Sequence, residues 1–199
     1  AITGPNVRCQ STLLQAIAGS MNLSEGVMEY RISNIEQGAG NKKQGSRIKD
    51  QGTGNKEQEI IILSENIFQY ISIAAPYLEL IEEMTAKEFL HFHHQFKPLM
   101  SSVSIEEIIS IIGLEKATDK QIRYFSSGMK QRLKLEQAVF SDVPVLLLDE
   151  PCTNLDASGY QLYHELVSNY CHHKLVIVSS NDAQEMDFCR EKLNILDYK

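Results

Sequence analysis

The chain has 199 residues, of which 43% are hydrophobic and 23% charged. That composition excludes wholesale disorder and fibrous or collagen-like structure, and the length suits one domain of about 100–200 residues. Twenty-six acidic residues against 19 basic ones leave a formal charge of -7. This argues against a general nucleic-acid binder, because neutralising phosphates needs clustered Lys and Arg.

Ala1-Ile2-Thr3 reads as the end of a strand whose start is expected upstream, and a glycine-proline turn follows. Residues 11–18 place Leu13, Leu14, Ile17 and Ala18 on one helical face, with Gly19 as a stop. Residues 31–59 are mostly Gly, Asn, Gln, Lys and Glu and carry an echo, QGAGNKKQ at 37–44 and QGTGNKEQ at 51–58. Two copies make no solenoid, so this stretch is expected to be a mobile surface loop. Ile60–Leu63 and Phe68–Ala75 read as strands, and Pro76 breaks the second. Residues 85–97 read as a helix. Ser104, with Glu107 three residues on, is set to cap another that carries Ile105, Ile108, Ile109 and Ile112. Gly128–Phe140 and Ala157–Tyr170 follow as helices. Val145–Leu148 and Leu175–Val178 are continuous apolar runs of the kind covered on both faces. Residues 183–191 read as helix and Leu193–Leu196 as a last short strand. Strands alternating with helices predict a parallel α/β sheet. The core spans about 1–75 and 129–199, with a helical insertion over about 77–128.

No run of 18 or more apolar residues occurs, so no segment reads as a bilayer-spanning helix. Cys9, Cys152, Cys171 and Cys189 form no Cys-x-x-Cys pair and read as reduced thiols of a cytosolic protein. Cys152 reads as a packed residue, not a nucleophile. His91, His93 and His94 lack the i, i+4 spacing of a metal site and read as surface histidines.

Three segments carry chemistry. Gly4-Pro5-Asn6-Val7-Arg8-Cys9-Gln10-Ser11-Thr12 lies between a strand end and a helix start, where a G-x-x-x-x-G-K-[ST] phosphate loop belongs. Only Gly4 and Ser11-Thr12 match; Cys9 replaces the second glycine and Gln10 the lysine, and a plain strand–turn–helix explains the segment equally well. In Val145–Pro151 a buried strand delivers Asp149 and Glu150 at its carboxyl end. Asp149 can hold Mg²⁺, and Glu150 can orient and deprotonate a water. In Tyr124–Arg132, Ser126 and Ser127 can cap a helix whose free amides suit an anion.

In order and spacing these segments resemble the ATP-binding cassette (ABC) ATPases. VLLLDE resembles the family's Walker B, Phe125–Met129 its LSGGQ signature, Asn154-Leu155-Asp156 its D-loop, and Leu80–Glu88 the stretch after its Q-loop. The resemblance implies a P-loop NTPase-type parallel sheet flanked by helices. It also implies ATP and Mg²⁺ as cofactors and a head-to-tail dimer with a second cassette, homo- or heteromeric. Gly4, Pro5, Asn6, Val7, Arg8, Cys9, Gln10, Ser11 and Thr12 would wrap the phosphates. Ser11 and Asp149 would serve Mg²⁺, and Glu150 would be the general base. Ser126, Ser127, Gly128, Met129 and Asp156 would meet the partner's nucleotide, and Asn181 stands where a histidine usually contacts the γ-phosphate. The chain would act as the ATP-binding subunit of an ABC transporter, cytoplasmic and held at the membrane through a permease that the helical insertion contacts. No nucleic-acid partner is implied.

The sequence departs from the family at Val7, Cys9, Gln10, Pro76 (the Q-loop position) and Asn181. A lysine–phosphate hydrogen bond contributes roughly 1.5–3 kcal/mol, and Gln10 supplies no charge. Two further readings follow. One is a pseudo-ATPase whose signature and Walker B support a partner cassette. The other is a damaged or truncated reading frame.

Overall fold

The computed structural model describes residues 1–4, 7–26, 28–32, 46–48, 60–62 and 64–198. In chain order the elements are β1 (Ile2–Thr3), α1 (Val7–Ile17), β2 (Tyr30–Ile32), β3 (Ser46–Ile48), β4 (Ile60–Ile62) and β5 (Ile71–Ala74). After these come α2 (Ala86–Phe96), α3 (Ile105–Ile111), α4 (Ser127–Val139), β6 (Val145–Asp149), α5 (Ala157–Tyr170), β7 (Leu175–Ser179) and β8 (Leu193–Asn194).

The apolar run at 145–148 forms an inner strand of the main sheet, whose order is β5-β6-β7-β1-β8 with every pairing parallel. Side chains alternate across a strand. Leu146 and Leu148 therefore pack with Leu133, Leu135, Leu162 and Leu166 of α4 and α5. Leu147 packs on the other face with Leu14 of α1, Ile62 of β4 and Ile71. All three leucines are fully buried, each worth about 1.5–3 kcal/mol relative to exposure. This two-sided covering explains why β6 reads as a continuous apolar run with no alternation.

The insertion between β5 and α4 adds to the first of these cores. Ala86, Phe89 and Leu90 of α2 and Ile108, Ile109 and Ile112 around α3 share one buried cluster with β6 and α4. Reciprocal capping boxes start both helices. Ser104 accepts from the Glu107 amide, and Glu107 accepts from the Ser104 amide; Thr85 and Glu88 repeat the arrangement. Lys97, extended ahead of Pro98, ends α2.

Some elements differ from expectation. Residues 64–69 form a 3₁₀ turn that buries Ile67 and leaves Phe68 exposed, so the strand begins only at Ile71. The helix expected over 183–191 is a single 3₁₀ turn, Ala183–Met186. There the Tyr163 hydroxyl donates to the Glu185 carbonyl at 2.6 Å, taking an acceptor that helix continuation would use. β8 stops at Asn194, and another 3₁₀ turn follows. β2, at the edge of the stretch read as a loop, and β3, within it, flank β4, which was read as a strand, in an antiparallel sheet ordered β2-β4-β3. Both copies of the echo lie outside the described residues.

Candidate functional site

Parallel pairing puts the carboxyl ends of β5, β6, β7 and β1 on one rim, where open α/β sheets bind ligands. Asp149 lies level with Ser179, and Ser179 with Ile2. Asp149 and Ile2, two residues before the loop, are therefore two strand spacings apart, about 10 Å. Asp149 is 1% exposed and accepts a 2.8 Å hydrogen bond from the Ser179 hydroxyl. Glu150 follows with φ of 43°, a left-handed conformation rare for a residue with a side chain, and donates its amide to the Ser179 carbonyl at 2.9 Å. Such backbone costs roughly 1–3 kcal/mol and concentrates at functional sites.

Across β7 lies the loop. Pro5 and Asn6 lie outside the described residues, and the side chains of Val7 and Arg8 are likewise not described. The helix starts at Val7, so Cys9, Gln10, Ser11 and Thr12 are all part of α1. In a helix the amides of Ser11 and Thr12 are directed at the carbonyls one turn back, not curled around an anion. Gly4 has no room for a side chain, since a Cβ there would come within 2.5 Å of Ile195 Cγ2.

Gln10 is completely buried. Its Nε2 donates to the Gly4 carbonyl at 2.7 Å and to Asn181 Oδ1 at 3.1 Å. Because a carbonyl only accepts, Nε2 must be the atom facing Gly4, and both of its hydrogens are committed. The other amide atom, Oε1, is buried with no partner. Ionised phosphate oxygens only accept, and the one uncommitted polar atom of Gln10 is also an acceptor. The helical backbone and this amide together do not fit a magnesium-bound triphosphate at the chain's own loop.

The second face of the site is better formed. Phe125 is buried and anchors the turn before α4. Ser126 caps α4 by accepting from the Met129 amide at 3.3 Å, while Ser127 is its first residue and is exposed. Gly128 faces the turn after β6, where an added Cβ would sit 3.2 Å from the Asn154 carbonyl. Asn154 has φ of 65°, a conformation that asparagine tolerates. Asp156 caps α5, accepting from the Gly159 amide at 2.9 Å, and lies 3.4 Å from Arg132 of α4. The buried Gln131 side chain donates to the Pro151 carbonyl at 2.7 Å. Ser126–Met129 and Asn154–Asp156 thus lie side by side.

Two groups near the site gave no sequence signal. Glu185, 3% exposed, accepts from the Cys152 amide at 2.7 Å and hydrogen-bonds Ser180, bridging the turn after Glu150 to the end of β7. Burial raises its pKa, and burial followed by the Glu185 charge raises that of the Cys152 thiol, which suits a packed cysteine. Tyr77, beside Pro76, hydrogen-bonds the Gln15 side chain; burial raises its pKa first, with a smaller contribution from Asp149. Such contacts join residues far apart in sequence, and no periodicity reports them. His93 also differs from its surface reading. It is half-buried with Nε2 3.2 Å from the Ser141 hydroxyl, and burial lowers its pKa to about 4. Among the described residues no group of three or more His, Cys, Asp or Glu side chains could hold a metal ion.

The family model of the ABC transporter matches residues 1–153. The chain belongs to the ABC transporter family. It is similar to the ABC transporter ATP-binding protein YxlF of Bacillus subtilis, 28% identical over 192 residues, 94% of this chain and 55% of that protein. The chain thus spans about half the length of that relative. Among solved structures, an ABC transporter ATP-binding protein from Pyrococcus furiosus shares the fold at TM-score 0.67 and 16% identity, covering 98% of this chain and 83% of that one. The ATP-binding cassette MJ0796, solved as a dimer in a post-hydrolysis state bound to ADP and Pi, gives TM-score 0.66 at 20% identity, covering 97% and 78%. This ABC domain therefore has the cassette fold, in a family that binds ATP, typically with Mg²⁺. No helix of the described residues is long and apolar enough to cross a membrane.

Proposed function

We propose that this chain is the ATP-binding domain of an ABC transporter and works as a non-hydrolysing partner. It would present Ser126–Met129 to the nucleotide of a second cassette, while its own loop does not turn ATP over. The observation that carries this reading is the Gln10 side chain, which stands in the lysine's place with both N–H groups given to Gly4 and Asn181. The well-packed Gly128–Asn154 contact supports an intact signature face. The dimer of MJ0796 supports pairing of cassettes as the working form. Contact with a permease, and through it residence at the cytoplasmic face of a membrane, falls to the helical insertion. Supporting this is a cleft of about 550 Å³ lined by residues that include Pro76, Leu78, Glu82, Lys130 and Lys134.

A mixing experiment tests the reading. A loop-restored chain (Cys9→Gly, Gln10→Lys, Asn181→His) that also carries Ser126→Arg holds a loop but no signature; the natural chain holds the reverse. Each alone is expected to show background ATP turnover, while the mixture turns over with magnesium. Magnesium-dependent turnover by the natural chain alone, lost in Glu150→Gln, would overturn the proposal in favour of a self-sufficient ATPase. A silent mixture would overturn the role of the signature.

A further inference from the structure

We propose that Gln131 and Glu185 are positioning residues that clamp the peptide between Pro151 and Cys152, and so hold Ser126–Met129 and Asn154–Asp156 as one surface toward a second cassette's nucleotide. This rests on reading Ser126–Met129 as the signature. Pro151 has no N–H, so the Cys152 amide is the first donor beyond that of Glu150. It donates to Glu185 Oε1 at 2.7 Å, and the carbonyl of the same peptide accepts from Gln131 Nε2 at 2.7 Å. The carbonyl and amide of a trans peptide point in opposite directions, so the two side chains grip one plane from both sides. Gln131 and Glu185 are each 3% exposed, and losing either bond leaves a buried polar group unpaired. Hydrogen bonds on the two sides of one peptide polarise each other and strengthen together.

Each arm of the clamp is itself anchored. Gly128, Gln131 and Arg132, spaced i, i+3 and i+4, form one face of α4 and meet Asn154, Pro151 and Asp156 in turn. Arg132 also donates to the Ser158 hydroxyl at 2.8 Å. On the other side, Glu185 is fixed by the Tyr163 hydroxyl on its carbonyl at 2.6 Å and by the Ser180 hydroxyl on its carboxylate. Ser179, next to Ser180, holds both the Asp149 carboxylate and the Glu150 amide. The clamp thus ties the start of α4 to the end of β7 across the turn that carries Glu150. The left-handed backbone of Glu150, with φ of 43°, persists only where its surroundings over-determine it.

The test has two arms. The first follows amide hydrogen exchange in the natural chain without nucleotide, with the Leu147 amide of the buried strand as the measure of global opening. Gln131→Met does not touch the Cys152 amide, yet it is expected to speed exchange there by about tenfold relative to Leu147, the factor of one hydrogen bond. Unchanged relative exchange would mean two independent bonds and would overturn the clamp. Should Gln131→Met not fold, the natural chain decides: the Cys152 amide and a Gln131 carboxamide proton are both expected to be protected, and an unprotected proton at either overturns the clamp. The second arm adds each variant of the natural chain to the loop-restored Ser126→Arg chain and measures turnover with magnesium. Glu185→Met is expected to lower kcat about tenfold and to change the half-saturating ATP concentration less than about twofold, because the other chain's loop binds the nucleotide. Glu185→Gln keeps an acceptor for the Cys152 amide and is expected to restore kcat to within about threefold. Should Glu185→Met not fold, Gln131→Met takes its place. A folded Met variant with full turnover, or a Glu185→Gln as impaired as Glu185→Met, would overturn the positioning role. Because the exchange arm uses neither nucleotide nor a second chain, the clamp can fail while the non-hydrolysing reading stands, and the reverse.

Discussion

Glu136 sits in the last turn of α4, completely buried, and neither carboxylate oxygen has a hydrogen-bond partner. Burial raises its pKa well above the ordinary carboxylate value, which favours the neutral acid. Burying an unpaired polar group costs about 1–3 kcal/mol. Glu136→Met, similar in length and helix propensity, is therefore expected to stabilise the chain by about that amount, read as a higher denaturant midpoint. A raised folded-state pKa means that the folded chain binds the extra proton above the unfolded value of about 4.3. Stability contributed by this group is thus lost as pH rises through and above that value, and the Met variant is expected to lose that slope. His93 has the opposite sense. With a folded pKa of about 4 against an ordinary 6.5, it stays neutral in the fold, and protonation favours unfolding. Stability is expected to fall as pH drops from about 6.5 to about 4, and His93→Gln to flatten that interval; an unchanged profile would refute the assignment. Asp149, Glu150 and Ser126 were legible as candidates from residue types at motif spacing. The commitment of Gln10 to Gly4 and Asn181 was not, because an amide's partners are chosen by the packed structure around it.

The starts of the helices with a capping box were readable, since a capping box is local. Ser104 and Glu107 were identifiable from a spacing of three residues, and Thr85→Ala or Ser104→Ala is expected to cost about 1 kcal/mol by urea denaturation. Gly159, in the first turn of α5, sets two effects against each other. Alanine has the better helix propensity by about 1 kcal/mol. Its Cβ, however, would lie 2.7 Å from the Leu155 Cβ, and overpacking of that kind costs about 1–3 kcal/mol. The contact is expected to win, so Gly159→Ala should lower stability and displace the Asn154–Asp156 turn; a more stable variant would show that the turn yields freely. Elements whose length depends on distant partners were misread. The turn at 183–186 is cut short by Tyr163, which comes from another helix. The strand at 71–74 begins late because Ile67 is drawn into the core with Leu14 and Leu147.

For the whole molecule, the insertion and the sheet share one buried cluster. Urea unfolding followed at the aromatic residues and by circular dichroism is therefore expected to give one coincident transition; an earlier loss of helix would mean that α2 and α3 form a separate unit. The family match over residues 1–153 and the fold agree with the parallel α/β reading made from alternating strand and helix patterns. Those patterns suffice because hydrophobic period and capping are local consequences of side-chain type. They determined by themselves the alternation of main-sheet strands and helices, the apolar strand runs 145–148 and 175–178, and the carboxylate pair at a strand end, although Leu175 proves exposed and only the first run is covered on both faces. Tertiary structure alone decided that β7 lies between β6 and β1, that α1 begins at Val7, and that Gln10 turns inward to Asn181. Each of these depends on which distant groups the folded chain brings within hydrogen-bond reach, and sequence spacing carries no record of that distance.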